Sequence, residues 1–377
     1  LNRGTFGSSR KPNTNEDQSN SLFLDSTKGG VLRLFAYGIN SPSNSLKNTL
    51  SNPFVVNSLP SIYTAERILT WTTQTSNFGT TNINSIAYGN NLWVAGGAAG
   101  TLRTSTDGIT WTTQTSNFGT TAINAIAYGN NLWVAGGVAG TLRTSTDGIT
   151  WATQTSTFGT TNITAVAYGN NLWVAGGSNG TLRTSTDGVT WATQSVSTTA
   201  SINAVAYGSN LWVAGGSVGV VRTSTDGVTW TSRTSNFGST NISSIAYGNN
   251  LWVAGGVGGT LRTSTDAITW TTQTSNFGSF TINAIAYGNN LWIAIGNAEN
   301  IRTSTDGVNW TTQPSNISIN LINPTSIFYG NNLWVMVGTS GAMKTTSTTS
   351  ANAQQSVYPV QLKASYDELP KIYGRFS

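Results

Sequence analysis

The chain contains no cysteine and no histidine. The first absence excludes a disulfide framework, a thiolate zinc site and a cysteine nucleophile. The second removes the commonest general base and the commonest transition-metal ligand. Charge is scarce as well. Only 8% of residues are Asp, Glu, Lys or Arg, against roughly 25% in ordinary globular domains. The repeats hardly contribute to the net charge of +5. Residues 1–60 hold six Lys/Arg against three acids, residues 61–350 nine against eight, and residues 351–377 three against two. With no basic stripe to follow a phosphate backbone, nucleic acid is not an expected partner. No apolar run approaches the roughly 20 residues of a membrane helix, and no leader peptide is visible, so membrane insertion is not expected. The chain starts at Leu1 rather than Met, as a processed or partial chain does. No cofactor and no metal is expected.

Glycine, serine, threonine and asparagine fill the space that charge leaves. A surface solvated by hydroxyls and amides is commoner in extracellular and virion proteins than in cytosolic enzymes, and an extracellular or virion-surface location is expected on that ground. The dominant feature is a repeat. A phrase Tyr-Gly-Asn-Asn-Leu-Trp-Val-Ala-Gly-Gly begins at Tyr88 and returns, with small changes, from Tyr128, Tyr168, Tyr207, Tyr247, Tyr287 and Tyr329. A second phrase, Thr-Ser-Thr-Asp-Gly-Ile-Thr-Trp, ends at Trp111, Trp151, Trp191, Trp230, Trp270 and Trp310. The two phrases hold thirteen of the fourteen tryptophans, and the last, Trp71, stands in a copy of the second phrase's end.

Each unit reads as four short strands: Ile83–Tyr88, Leu92–Ala95, Thr101–Ser105 and Ile109–Gln114. Gly89-Asn90-Asn91 and Asp107-Gly108 supply hairpin turns, because Gly, Asn and Asp tolerate positive φ. Four strands in about 40 residues make a propeller blade, which cannot cover both faces alone and must be stacked around an axis. First-, second- and third-strand phrases occur seven times in residues 83–344. Fourth-strand phrases also occur seven times, but the first copy, Ile68–Gln74, precedes every first strand. The expected fold is therefore an all-β, seven-bladed propeller of four-stranded antiparallel blades, closed by the N-terminal strand 68–74, which completes the last blade. Residues 1–60 read as an N-terminal arm with a strand at Gly30–Gly38, residues 61–350 as the propeller, and residues 351–377 as a C-terminal arm.

The stretch Ser105-Thr106-Asp107-Gly108-Ile109-Thr110-Trp111 resembles the Asp-box, the bacterial neuraminidase repeat of sialidase-like propellers. It departs from that pattern because Asp and Gly are adjacent, and Asp266 is followed by Ala267. The repeat is also similar to uncharacterised proteins of large DNA viruses and phages. The resemblance implies structural roles for Asp107, Asp147, Asp187, Asp226, Asp266 and Asp306, which would bond their turns. It implies the same for Trp111, Trp151, Trp191, Trp230, Trp270 and Trp310, which would pack within the blades. Asp-box propellers include sialidases, lectins and receptors, so the resemblance bears on fold more than on function.

A sialidase-like site would need three convergent arginines, a Tyr–Glu nucleophile pair and an acidic proton donor. Here the arginines are one residue repeated, Arg103, Arg143, Arg183, Arg222, Arg262 and Arg302, with Lys344 in the seventh unit. Catalysis is not expected, and each Arg is expected to pair with a nearby repeat Asp. The alternative is a ring of anion sites. Phe78, Phe118, Phe158, Phe237 and Phe277 stand in Ser-Asn-Phe-Gly-like phrases between blades, where they either stack on sugars or plug the gap between blades. Loops between second and third strands vary most, and Asn179, Asn297 and Glu299 on them are candidate ligand contacts. Asn162, Asn241 and Asn316 lie in glycosylation sequons. These features point to a structural or adhesive propeller of a virion or cell surface, bound to other proteins through residues 1–60 and 351–377. A multivalent glycan-binding propeller is the alternative, and a sialidase-like hydrolase a more distant one.

Overall fold

A computed structural model describes residues 21–25, 33–37, 69–313 and 323–347 of the chain. Two compact units are distinguished, Leu1–Tyr63 and Thr64–Ser377. In the first, Ser21–Asp25 and Arg33–Tyr37 pair as an antiparallel hairpin. Its second strand falls within the stretch expected to be one. The remainder of residues 1–60, and all of 351–377, lie outside the described residues.

The second unit holds seven four-stranded antiparallel sheets. In blade 1 the strands are Ile83–Gly89, Leu92–Gly97, Leu102–Ser105 and Thr112–Gln114. The same set recurs through blade 6. Blade 7 is built from Pro324–Gly330, Leu333–Gly338, Met343–Ser347 and, from the other end of the chain, Thr72–Thr73. Thr72 lies opposite Thr345 and Thr73 opposite Lys344, and the Gln74 N–H donates to the Met343 carbonyl at 3.0 Å. The closing strand is thus present but shorter than 68–74, and Leu69 and Trp71 pack instead with Trp334 and Ile327. The fourth strand of blade 1 is also shorter than expected, because Ile109–Trp111 belong to the turn before it.

Local chemistry explains this pattern. Asn90 and Asn91 both adopt positive φ, 48° and 58°, the conformation a two-residue hairpin turn demands. Each first strand carries a bulge near its start, as between Ile83 and Ser85. First strands of successive blades lie side by side, and side chains from one tie the open edge of the next. Asn84 Nδ2 donates to Ile123 O at 2.8 Å, Asn124 Nδ2 to Ile163 O at 2.9 Å, and Asn203 Nδ2 to Ile242 O at 3.0 Å. Thr325 Oγ1 of blade 7 donates to Ile83 O of blade 1 at 2.5 Å, which completes the circuit.

The core lies between blades. Ile83, Ile86, Trp93 and Ala95 of blade 1 pack on Val335, Val337 and Met343 of blade 7, and like clusters repeat at the other joints. Second-strand tryptophans such as Trp93 are fully buried, and the Nε1 of six of them, Trp93, Trp133, Trp173, Trp212, Trp292 and Trp334, finds no hydrogen-bond partner. An orphaned donor costs about 1–3 kcal/mol. Burying the ring contributes an upper bound of roughly 4–6 kcal/mol, so burial prevails. Glycine is required where each Tyr lies against the preceding blade. A Cβ on Gly89 would stand 2.2 Å from the Tyr128 ring, and one on Gly330 would stand 2.4 Å from Tyr88. The last blade therefore meets the first as every other pair meets.

Candidate functional site

Strand direction divides the ring into two faces. One, the hairpin face, bears the turns at Gly89–Asn91 and Thr106–Thr110. The other, the loop face, bears the turns at Ala98–Gly100 and the segments that join blades, and these touch: Ser116 Oγ donates to Gly100 O at 2.5 Å.

On the hairpin face, Asp107 organises its turn. Its Oδ1 accepts the Ser105 hydroxyl and the Ile109 and Thr110 N–H groups, each at 2.8 Å. Gly108, at φ 75°, donates its N–H to Ser105 Oγ at 2.8 Å, and Trp111 Nε1 returns to Gly108 O at 3.2 Å. The arrangement repeats at Asp147, Asp187, Asp226 and Asp306, closed by Trp151, Trp191, Trp230 and Trp310. At Asp266 the next residue is Ala267, which is forced to φ 59°. There Asp266 donates its own N–H to Ser264 Oγ at 3.3 Å, while Trp270 keeps its bond to residue 267. Hydrogen bonds to the ionised carboxylate, foremost from the Thr110 N–H, draw Asp107 down to about 2. The Thr150, Thr190 and Thr229 N–H groups do the same for Asp147, Asp187 and Asp226. For Asp306 burial opposes the shift, but the Asn309 N–H and its other donors still hold the carboxyl low.

The expected Arg–Asp pairing is corrected by the structure. Arg103 donates through Nε and Nη2 to the Asn77 carbonyl, at 3.1 and 2.8 Å, and through Nη1 to Leu102 O at 3.0 Å. Its guanidinium lies 4.9 Å from the centre of the Phe78 ring. Arg143 on Phe118, Arg183 on Phe158, Arg262 on Phe237 and Arg302 on Phe277 repeat the stack at 4.9–5.1 Å. Arg and Asp stand at opposite ends of the third strand, which keeps them apart. Burial lowers the arginine pKa values.

Of the two roles open to the five phenylalanines, sugar platform or plug between blades, burial leaves the plug. All five are at most 3% exposed, with an arginine over one face. Their phrase is a staple between blades. Ser76 Oγ donates to Gly341 O of blade 7 at 2.6 Å, and Asn77 Nδ2 donates to Trp111 O of blade 1 at 2.6 Å. Blade 4 lacks the ring, and Arg222 instead reaches Val196 O and Ser197 O.

Asn179 is exposed at a loop apex with φ 55°. Asn297 is half-buried and its Oδ1 accepts Asn283 Nδ2 at 2.8 Å. Glu299 sits at φ 59° beside Lys344, whose pKa burial lowers and the Glu299 carboxylate raises. Asn179 belongs to blade 3 and the other two to blade 6, so the ring does not bring the three together. Two sequon asparagines also hold loops: Asn162 Oδ1 accepts the Ala139 N–H and Asn241 Oδ1 the Val218 N–H. Asn316 lies outside the described residues. The recurrence of Asn77 and Asn84 in successive repeats was the signal for these staples, since a residue repeated in place serves the repeat.

A shallow rim groove of about 330 Å³ lies between Gln273–Asn276 of the segment after blade 5 and Val308–Thr311 of blade 6. Among the described residues no three Asp or Glu side chains come together as a metal site would require.

Residues 192–348 match the model of the DUF6242 beta propeller domain. No curated protein sequence matches the chain. Among solved structures, YCF48 bound to D1 peptide is 17% identical, with TM-score 0.60 over 77% of this chain and 99% of that one. A catalytically inactive virginiamycin B lyase from Staphylococcus aureus with quinupristin is 12% identical, with TM-score 0.66 over 74% and 99%. The WD40 beta propeller domain of Doa1 is 13% identical, with TM-score 0.58 over 74% and 96%. These likenesses show the propeller fold. They include a lyase, a propeller bound to a peptide and a WD40 domain.

Proposed function

We propose that the chain is a non-catalytic structural and adhesive propeller of a virion or cell surface. On this reading it joins a larger protein assembly through residues 1–60 and 351–377. The observation that carries the reading is that the repeated ionisable groups serve the scaffold. The Asp carboxylates close their own turns and the Arg guanidinium groups staple neighbouring blades. Nothing among them converges as the carboxylates of a glycosidase must. The aspartate-turn geometry supports the likeness to Asp-box propellers, in which the motif is structural. A propeller seen with a peptide supports protein partnership in general. Immunogold labelling of native particles from the source, with antibody against the propeller, tests the reading. Label on the particle surface is expected, and label confined to the cell interior contradicts it. Turnover of a fluorogenic sialoside by the purified chain would contradict the non-catalytic part.

The rim groove favours a second reading, a multivalent glycan binder. Its amides and hydroxyls suit a sugar, and related residues recur at other joints. Silence of the purified chain on a glycan array removes this reading.

A further inference from the structure

Among the described residues, charge is sorted by face. Six of the propeller's seven described carboxylates, the turn aspartates, lie on the hairpin face. Each holds Oδ1 in its turn and is exposed. The propeller's eight described cations, seven Arg and Lys344, all stand on the loop-side halves of third and fourth strands, together with the one other acid, Glu299; Arg222, Arg302 and Lys344 are buried there and the rest half-buried, so they form a charged layer beneath the loop face. The hairpin face therefore carries −6 and the loop side 8 − 1 = +7. The two layers are separated by about four residues of strand, roughly 13 Å. The disc is an axial dipole that the near-neutral total conceals.

Apolar side chains accompany the charge. Beside the aspartates stand Ile109, Ile149, Val189, Val228, Ile268 and Val308, 37–49% exposed, one per complete turn. The loop face exposes Val138, Val218, Val257 and Phe280. Val218 is 57% exposed and held at φ 50°, a conformation that is a genuine outlier for a β-branched residue. Within the disc the turn is held by the Val218 N–H on Asn241 Oδ1 at 2.9 Å, which leaves the branched side chain itself exposed, and strained residues of this kind concentrate at binding surfaces.

We infer that the propeller stacks head to tail on further copies of itself, the hairpin face of one disc against the loop face of the next. Like faces would set six carboxylates against six. Opposite faces set carboxylates over cations and apolar rims over apolar loops. Such a contact is heterologous, so it leaves a free face at each end and grows as an open stack rather than closing as a dimer. The near-sevenfold repeat offers several equivalent rotational registers. The inference names a partner for the structural reading above.

The test is sedimentation velocity of the purified full chain across a concentration series. It is run at about 0.01 M and about 1 M salt, where screening lengths are about 30 Å and about 3 Å. Stacks that lengthen with concentration at low salt and shorten at high salt are expected. The variant I109K/I149K/V189K places new cations, at exposed positions, towards the partner's cationic layer. It should self-associate at least about tenfold more weakly with unchanged circular dichroism. A single disc at low salt at every concentration, a dimer that does not grow, or association indifferent to the lysines overturns the inference. A single disc together with labelled particles removes stacking and leaves the structural reading standing. Stacking without labelled particles does the reverse.

Discussion

Val218 occupies a loop apex where other blades place Ala99, Asn179, Gly258 or Ser340, all at positive φ. An L-residue there costs roughly 1–2 kcal/mol, and a branched Cβ adds to it. Glycine escapes that strain but makes the unfolded chain freer by about 0.4–1 kcal/mol. Val218→Gly should therefore raise stability by roughly 1 kcal/mol in urea denaturation, and it should weaken self-association at the same time. A drop in stability would show that the apex is not strained. The turn aspartates make a separate prediction. Their folded pKa values lie below the ordinary value, at about 2 for Asp107, Asp147, Asp187 and Asp226. Such groups contribute stability that is fully present above the unfolded value near 3.8, and it is lost as pH falls through the folded value. With no histidine to titrate, the melting temperature should stay level between pH 5 and 8 and fall steeply between pH 4 and 2. Replacing all six by Asn, which keeps the Oδ1 acceptor, should flatten that acid limb. A sixfold variant with an unchanged acid limb would contradict the assignment.

At the scale of the element, the four strands of a blade are not equal. Leu92–Gly97 is buried along nearly its whole length, whereas Thr112–Gln114 is short and mostly exposed. Local opening follows such differences. Hydrogen exchange should protect the amides of Leu92–Gly97 and its six counterparts by about 10³-fold or more over those of the outer strands. Equal protection would mean that each blade opens as a unit. Strand count, turn positions and the borrowed closing strand were legible in the sequence, because period, Asn-Asn and Asp-Gly turns and end counts each carry a direct geometric meaning. Side-chain partners were not. Arg103 and Asp107 are four residues apart and of opposite sign, which suggests a pair, yet an extended strand carries them to opposite faces. The true partner of Arg103 is a backbone carbonyl at Asn77, which no inventory of side chains contains. The sequence left Phe78 as either a sugar platform or a plug between blades. Its neighbours Ser76 and Asn77 bond the adjacent blades and turn the ring inward.

At the scale of the whole molecule, the two faces, the charge layers and the stacking all presuppose a shut ring. Closure rests on few strand residues, Thr72 and Thr73 against Thr345 and Lys344, supported by Leu69 N–H on Gln313 Oε1 at 3.0 Å and by Ser76 on Gly341. Joining the chain's ends in this way leaves no blade with an unpaired sheet edge facing a gap. It also makes the first and last repeats depend on each other across more than 270 residues. The absence of native cysteine makes this joint directly measurable. In the double variant T72C/T345C the two thiols fall on directly opposed strand residues, within the roughly 4.4–6.8 Å Cα separation a disulfide tolerates. Mild oxidation of the folded, monomeric chain should link them completely within one molecule, giving a faster-migrating band on non-reducing gels. Two free thiols after oxidation of the folded chain would mean that the ring is open at this joint.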